Sequence, residues 1–457
     1  MTNSLTLSLS AALVLFTATA FVAPAAAPPK PAAAPVTTPP FPYLAAKAYR
    51  IPPETTTEES GYFSLCEGRN GKIYVGTAAY GRNSYLVEFD PATEAMRIVL
   101  DTHKVVGLPL EPSGYAAQAK LHTRNFVGPS GRIYVGSKQG YPSPAEKKSG
   151  QIPVYRGGYV LTYDPATGKA ENLGAPMLLS DPRQPADAKE GEGVIDVVAN
   201  EARGLIYVVT CEHQHWMLLD TRHPEKGYRD LGPILRDQPN TLIDQQGRAT
   251  AITVDYRIAR HDPATDKVTV DDLLVDGKPF AEVVGPKAVH PDWRLAADGR
   301  TAYLQLLNDL RLFTVDLGGR AGQPVVARSL GDRVAGKHPD SRGSISIALD
   351  GRVYSAVRVD NETGFGKGYL HHLVRYDPKT SQMADLGVLT VKNPDFFDFT
   401  APPASNPDGS KRPIHGFHRL PDDTLTPLHV IMALIVARDG TIYATTIYPF
   451  TLLRLTR

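Results

Sequence analysis

The chain has 457 residues, 42% of them hydrophobic and 21% charged, with a formal net charge of +1. That length exceeds one ordinary compact core, so it predicts either several domains or one large repeat architecture. The near-neutral balance excludes a general electrostatic surface for nucleic acid or anionic membrane, so a charged ligand must be met by a local patch.

The first element is an apolar run from Leu5 to Val22, with Ala18-Thr19-Ala20 fitting an A-x-A cleavage site. Residues 1–22 therefore read as a signal peptide, although no Lys or Arg precedes the run, and the mature chain is expected in the periplasm or outside the cell. The alternative is an uncleaved membrane anchor, because the run approaches spanning length. Residues 23–42 are nearly all Ala, Pro and Thr, too poor in core formers to fold, and read as a linker. The folded part then runs over 43–457, with no membrane span once the signal is removed.

A short signature recurs along that part: a turn containing Gly, then an alternating strand. Its copies are Asn70-Gly71-Lys72-Ile73-Tyr74-Val75, Ser130-Gly131-Arg132-Ile133-Tyr134-Val135, Arg203-Gly204-Leu205-Ile206-Tyr207, Asp298-Gly299-Arg300-Thr301, Asp350-Gly351-Arg352-Val353-Tyr354 and Asp439-Gly440-Thr441-Ile442-Tyr443. A weaker copy lies at Gln246-Gly247-Arg248. Gly supplies the positive φ of a tight hairpin and the β-branched or aromatic residues after it form a strand.

Downstream of most copies an apolar strand ends in an Asp-Pro turn, as at Phe89-Asp90-Pro91, Tyr163-Asp164-Pro165, His261-Asp262-Pro263 and Tyr376-Asp377-Pro378. Strand, Gly turn, strand, loop, strand, Asp-Pro turn, strand is a four-stranded meander, and seven copies spaced by roughly 60 residues predict an all-β, seven-bladed β-propeller of antiparallel blades. The last repeat lacks a fourth strand. The segment Ala48 to Ile51, ahead of the first repeat, is placed to supply it and so close the ring.

The first strand of each blade faces a central channel. Counting nine residues back from each turn Gly gives Tyr62, His122, Ile195, Gln238, His290, Arg342 and Ile431, most of them polar where a buried inner strand would favour small or apolar side chains. Arg124, Asp196, Trp293 and His429 lie one to three positions away. Each residue taken alone reads most simply as a structural partner between blades, but their common position points to a ligand site. His415 and His418 fall in a Pro-rich insertion, Pro402 to Pro427, expected to cover the mouth, and His371-His372 reads as structural.

Cys211, His213 and His215 alternate and are expected on one face of a strand, where a thiolate and two imidazoles could hold a divalent metal. Cys66, the other cysteine, lies in a different repeat, so two buried free thiols are expected rather than a disulfide. No G-x-S-x-G elbow, C-x-x-C-H, P-loop or dinucleotide fingerprint occurs.

The repeated Gly-x-Ile-Tyr-Val-Gly and Tyr-Asp-Pro-Ala-Thr-Gly segments resemble those of exported bacterial propellers, including the virginiamycin B lyase-like group and the propeller lyases that cleave ulvan or oligogalacturonate. Leu121-His122-Thr123-Arg124-Asn125-Phe126 through Tyr134, with Gly157-Gly158-Tyr159, looks most like the second blade of the ulvan type. That resemblance implies β-elimination on an acidic polysaccharide, with His122 as acid/base, Tyr207 as the partner Tyr and Arg222 on the carboxylate. The second His it implies after the Tyr134 strand is replaced by Ser137-Lys138-Gln139. The channel residues define the rest of the expected site: His290 as a further catalytic group, and Tyr62, Arg124, Gln238, Trp293, Arg342 and His429 as substrate contacts. Two other readings stand beside the lyase: a non-enzymatic propeller binding a glycan or protein, and a metal-dependent hydrolase or oxidoreductase using Cys211, His213 and His215. A monomer is expected, with a polysaccharide or another small ligand as partner and no nucleic acid.

Overall fold

A computed structural model describes residues 36–109, 114–405, 411–412 and 414–456. The signal peptide and most of the linker expected from the sequence lie outside the described residues. Among those residues no helix is long and apolar enough to cross a membrane.

The chain folds into successive antiparallel meanders. The first comprises Glu59–Glu67, Ile73–Ala78, Tyr85–Phe89 and Met96–Asp101, and the second Phe126–Val127, Ile133–Lys138, Val160–Asp164 and Lys169–Asn172. Gly193–Asn200, Leu205–Cys211, His215–Asp220 and Arg229–Ile234 form the third, and Leu242–Ile243, Ala249–Ile252, Ile258–Asp262 and Lys267–Asp271 the fourth. The fifth runs through Pro291–Leu295, Thr301–Leu306, Arg311–Asp316 and Val325–Asp332, the sixth through Ile345–Ile347, Val353–Asp360, Tyr369–Asp377 and Gln382–Val391. Ala433–Val436, Ile442–Thr446 and Thr451–Leu455 follow as the last, and Tyr43–Arg50 adds a fourth strand antiparallel to Thr451–Leu455, with Lys47 opposite Arg454 and Arg50 opposite Thr451. The N-terminal half of that added strand runs parallel to Gln382–Val391, tying two meanders together.

The turns follow from local chemistry. Gly131, at φ +93, adopts a backbone that a side chain would strain, and the Asp298 carboxylate caps its own turn by accepting from the Arg300 and Thr301 amides at 2.9 and 2.8 Å.

Apolar clusters join each meander to the next. Tyr74 and Leu86 pack with Val135 and Leu161, Tyr134 and Val160 with Val208 and Met217, Tyr207 and Val209 with Ala251 and Ala259. Ile252 and Ile258 pack with Trp293 and Phe313, Tyr303 with Ile345 and Tyr376, Tyr354 and Leu373 with Leu434 and Leu453. A further cluster joins Val430, Met432 and Leu452 to Leu65, Val75 and Phe89. Burial of a Tyr, Phe or Leu in such a seam contributes about 1.5–3 kcal/mol. The architecture is a β-propeller, with inner strands facing one another across a channel and sheet faces packed against sheet faces.

The Pro-rich insertion contributes Phe417–Arg419 and Leu425–Pro427, a hairpin that extends the sixth meander through Val391 opposite Leu425. Cys66 and Cys211 are both buried and free.

Candidate functional site

Six of the seven positions reached by counting nine residues back from the turn glycines line one cavity of about 210 Å³: Tyr62, His122, Ile195, Gln238, His290 and Arg342. They enter it from the starts of the inner strands of successive meanders. Ile431 is instead buried in the seam between the sixth and last meanders.

Local backbone devices aim these side chains. In Glu59–Glu67 the pairing register slips between Ser60 and Leu65, and Tyr62 sits at φ +65, so the bulge turns its ring into the channel. Gly61 precedes it against the Leu121 carbonyl, where a Cβ would lie 2.0 Å from the oxygen. That close approach sets Tyr62 beside His122, with ring centroids 4.9 Å apart. His290 also has a left-handed φ, +52, and its Nδ1 lies 2.8 Å from Gln238 Nε2. A bulky residue held at positive φ is strained, and such strain concentrates at functional sites.

Lys120, Lys138, Tyr141 and Asp237 complete the polar wall, and the sequence reading had not singled them out as site residues. Lys120–Leu121 is a two-residue strand that pairs both with Ala78 of the first meander and with Ser137 and Lys138 of the second. Lys120 is 2% exposed, and its Nζ lies 4.5, 4.7 and 4.8 Å from the ring centroids of Tyr62, Tyr80 and Tyr141. Lys138 occupies the stretch where the lyase resemblance implied a second His.

The electrostatics are one-sided. Lys120, Lys138 and Arg342 bring three cationic side chains to the wall, against Asp237 as the carboxylate among the lining residues described. Arg342 Nε is buried without a hydrogen-bond partner, and its nearest carboxylate contact, Asp340, is at 3.9 Å. Lys138 Nζ donates to Cys211 Sγ at 2.7 Å. Burial opposes the Lys138 charge, but the Cys211 sulfur and the Glu212 and Asp237 carboxylates raise its pKa. Burial pushes the Cys211 thiol up to about 12, so it is a packed thiol at neutral pH. Burial, reinforced by Lys138, Lys120 and Arg342, drives His122 well below the usual histidine range. His290 is lowered first by burial, against the pull of Asp237. Both imidazoles are therefore neutral at pH 7; the Gln238 amide faces Nδ1 of His290, whereas Nδ1 of His122 has no hydrogen-bond partner.

Other expected residues lie elsewhere. Tyr207 is fully buried in the seam between the third and fourth meanders, its hydroxyl 2.8 Å from His261 Nδ1. Arg222 is exposed and clasps Asp220 at 2.7 Å within a surface turn. Trp293 is a core residue whose Nε1 donates to the Asn240 carbonyl at 2.8 Å. Arg124 lies deeper in the channel and binds Asp292 at 2.6 Å. His429 stands edge-on to Tyr448 outside the cavity wall, and burial lowers it to about 4.

The three residues expected to hold a metal do not share a strand face. Leu205–Cys211 ends at the cysteine, Glu212 and Gln214 turn the chain at φ +102 and +54, and a new strand begins at His215. Cys211 meets Lys138, His213 Nδ1 lies 2.5 Å from Glu192, and His215 Nδ1 lies 2.8 Å from Asp230. Among the described residues no group of three or more His, Cys, Asp or Glu is arranged to hold a metal ion. Asp196 accepts the Asn240 and Thr241 amides at 2.8 and 2.6 Å.

A larger cavity, about 650 Å³, opens at the opposite ends of the inner strands, beside the Gly turns of the second to fourth meanders. Its charged groups include Arg124, Arg294 and Asp196, which are already engaged within the protein. The smaller cavity holds Arg342, whose Nε has no hydrogen-bond partner, and Lys120, which has no ion pair among the described residues, and it is the candidate site.

No family model and no curated protein sequence matches the chain. Among solved structures, the chain is similar to the β-propeller domain of Cps50 (Swd1) from Myceliophteria thermophila, at 11% identity over 90% of this chain and 100% of that one, with a TM-score of 0.48. It is similar to the WD40 β-propeller domain of Doa1, at 9% identity over 91% and 97% of the two chains, TM-score 0.46. The periplasmic gluconolactonase PpgL of Pseudomonas aeruginosa matches at 14% identity over 84% and 95%, TM-score 0.43.

Proposed function

We propose that the protein is an exported seven-bladed propeller that binds a small, carboxylate-bearing carbohydrate, such as a uronate unit, at the mouth of its channel. The apolar run Leu5 to Val22 supports export. The succession of seams, each joining one meander to the next and the last back to the first, supports the closed ring and its blade number.

One observation carries the ligand class: the Lys138 and Arg342 cations, with the Lys120 amine beside them, converge on a cavity of about 210 Å³ whose described lining has Asp237 as its carboxylate. An isolated buried cation is costly, and a ligand carboxylate would relieve that cost through charge-assisted hydrogen bonds. The volume suits one sugar ring rather than a long oligosaccharide. The wall also holds neutral His122 and His290, and Tyr62 with its ring 4.9 Å from that of His122. Cations that neutralise a uronate, a base for the proton next to the carboxylate and an acid for the leaving oxygen are what β-elimination requires. That observation favours the lyase reading over a purely binding role. Tyr207 and Arg222 have no part in it.

Calorimetric titration with galacturonate, glucuronate and galactose tests the ligand class, beside an absorbance assay for unsaturated products from acidic polysaccharides. Saturable uronate binding, absent with galactose and weakened about tenfold in Arg342→Ala, is expected. Equal binding of galactose, or no uronate binding, overturns the reading.

A further inference from the structure

Lys120 differs from the other buried or partly buried lysines of the chain. Lys72 meets Glu88 and Asp90 at 3.1 and 3.2 Å, and Lys138 has Cys211 at 2.7 Å and Glu212 at 3.9 Å. Lys120 is almost wholly buried, yet among the described residues its amine has no hydrogen bond and no ion pair, only three tyrosine rings and a cavity. Backbone pairing to the first and second meanders holds its main chain on both sides. Tyr141, 60% exposed, is the outer ring of the cage and separates the amine from solvent.

The groups around Lys120 act in opposite directions. Tyrosine faces attract an ammonium. Burial opposes it most strongly, Glu59 favours it, Lys138 and Arg342 repel it, and the Cys211 sulfur favours it. His122, which lines the same cavity, is neutral. Burial prevails, and the amine is lowered to about 7. A desolvated amine beside other cations is the arrangement that makes a lysine nucleophilic towards carbonyl carbon.

We propose that Lys120 is a reactive amine that forms an imine with an aldehyde or ketone carried on the same small molecule as the carboxylate. An open-chain uronate and a 2-oxo acid both belong to that class. The Nζ lone pair attacks the carbonyl carbon, the N–C bond forms, and the carbonyl oxygen leaves as water with both amine protons, without change of oxidation state. Lys138 and Arg342 hold the carboxylate, so the inference rests on the ligand class proposed above for this cavity.

The test treats the whole chain at pH 7 with glyoxylate and cyanoborohydride, which reduces an imine to a stable carboxymethyl amine, and maps the modified lysines by peptide mass spectrometry. Free base at pH 7 is about three orders of magnitude more abundant for an amine at about 7 than for an ordinary lysine. Lys120 is therefore expected to be modified at least about tenfold ahead of any exposed lysine. Lys120→Gln should lose that adduct alone, but the measurement on the unaltered chain decides the matter whether or not the variant folds. Modification confined to surface lysines, with Lys120 untouched, overturns the inference and makes the amine a caged ammonium. Acetaldehyde labelling Lys120 as fast as glyoxylate would support the imine and overturn the carboxylate seating. Uronate binding without Lys120 labelling would do the reverse.

Discussion

The channel carries two groups of cations that differ in one respect. Away from the candidate site, Arg124 and Arg294 share the Asp292 carboxylate, and Arg124 also donates to the Pro239 and Trp293 carbonyls at 3.1 and 3.2 Å. At the mouth, Lys120, Lys138 and Arg342 face a cavity with Asp237 as the nearby lining carboxylate. Similar residue types thus differ in their partners: Asp292 holds Arg124 and Arg294, whereas Lys120 has no ion pair among the described residues and Arg342 only Asp340 at 3.9 Å, and on the reading proposed above these two are left for a ligand.

The comparison breaks if the two sets respond alike to mutation. Asp292→Ala leaves two largely buried guanidiniums without their carboxylate, and chemical denaturation should show a loss of about 3–5 kcal/mol. Arg342→Ala should cost less than about 1 kcal/mol, because little is paired to it, while it weakens uronate binding. Equal losses in the two variants would remove the distinction.

A second, smaller effect concerns buried neutral groups. His371 is fully buried with neither ring nitrogen hydrogen-bonded, and burial holds it well below its ordinary 6.5, as it does His122. Each binds a proton more readily in the unfolded chain than in the folded one. Their contribution is complete above pH 6.5 and is lost as pH falls below it, by up to about 1.4 kcal/mol per pH unit for each histidine. His371→Leu should flatten that slope in denaturation curves between pH 6.5 and 5; an unchanged slope would show that His371 is not the group responsible.

The smallest effect sharpens the comparison from outside the channel. Arg222 and Asp220 pair in an exposed turn, and Arg222→Ala should leave stability within about 0.5 kcal/mol and uronate binding unchanged. Loss of binding in that variant would restore the role implied by the resemblance.

The meanders were legible because a Gly turn and the strand after it are set by neighbours a few residues apart, and the nine-residue register carried Tyr62, His122, Gln238, His290 and Arg342 to one cavity. Lys120 was not, because its strand is two residues long and pairs with two meanders at once, a non-local arrangement without a pattern of its own. Trp293 was misread for a related reason: it lies three residues after His290, and its ring packs into the seam instead of the channel. Cys211, His213 and His215 misled because Glu212 and Gln214 adopt left-handed backbone without a glycine to announce it.

The pairing of Tyr43–Arg50 with Thr451–Leu455 has a consequence for biosynthesis. Tyr43–Arg50 is made long before the partner it waits for. Until Thr451–Leu455 is in place the final sheet stays incomplete, with an open hydrogen-bonding edge. Loss of Thr451–Leu455 therefore also removes the anchor of Tyr43–Arg50.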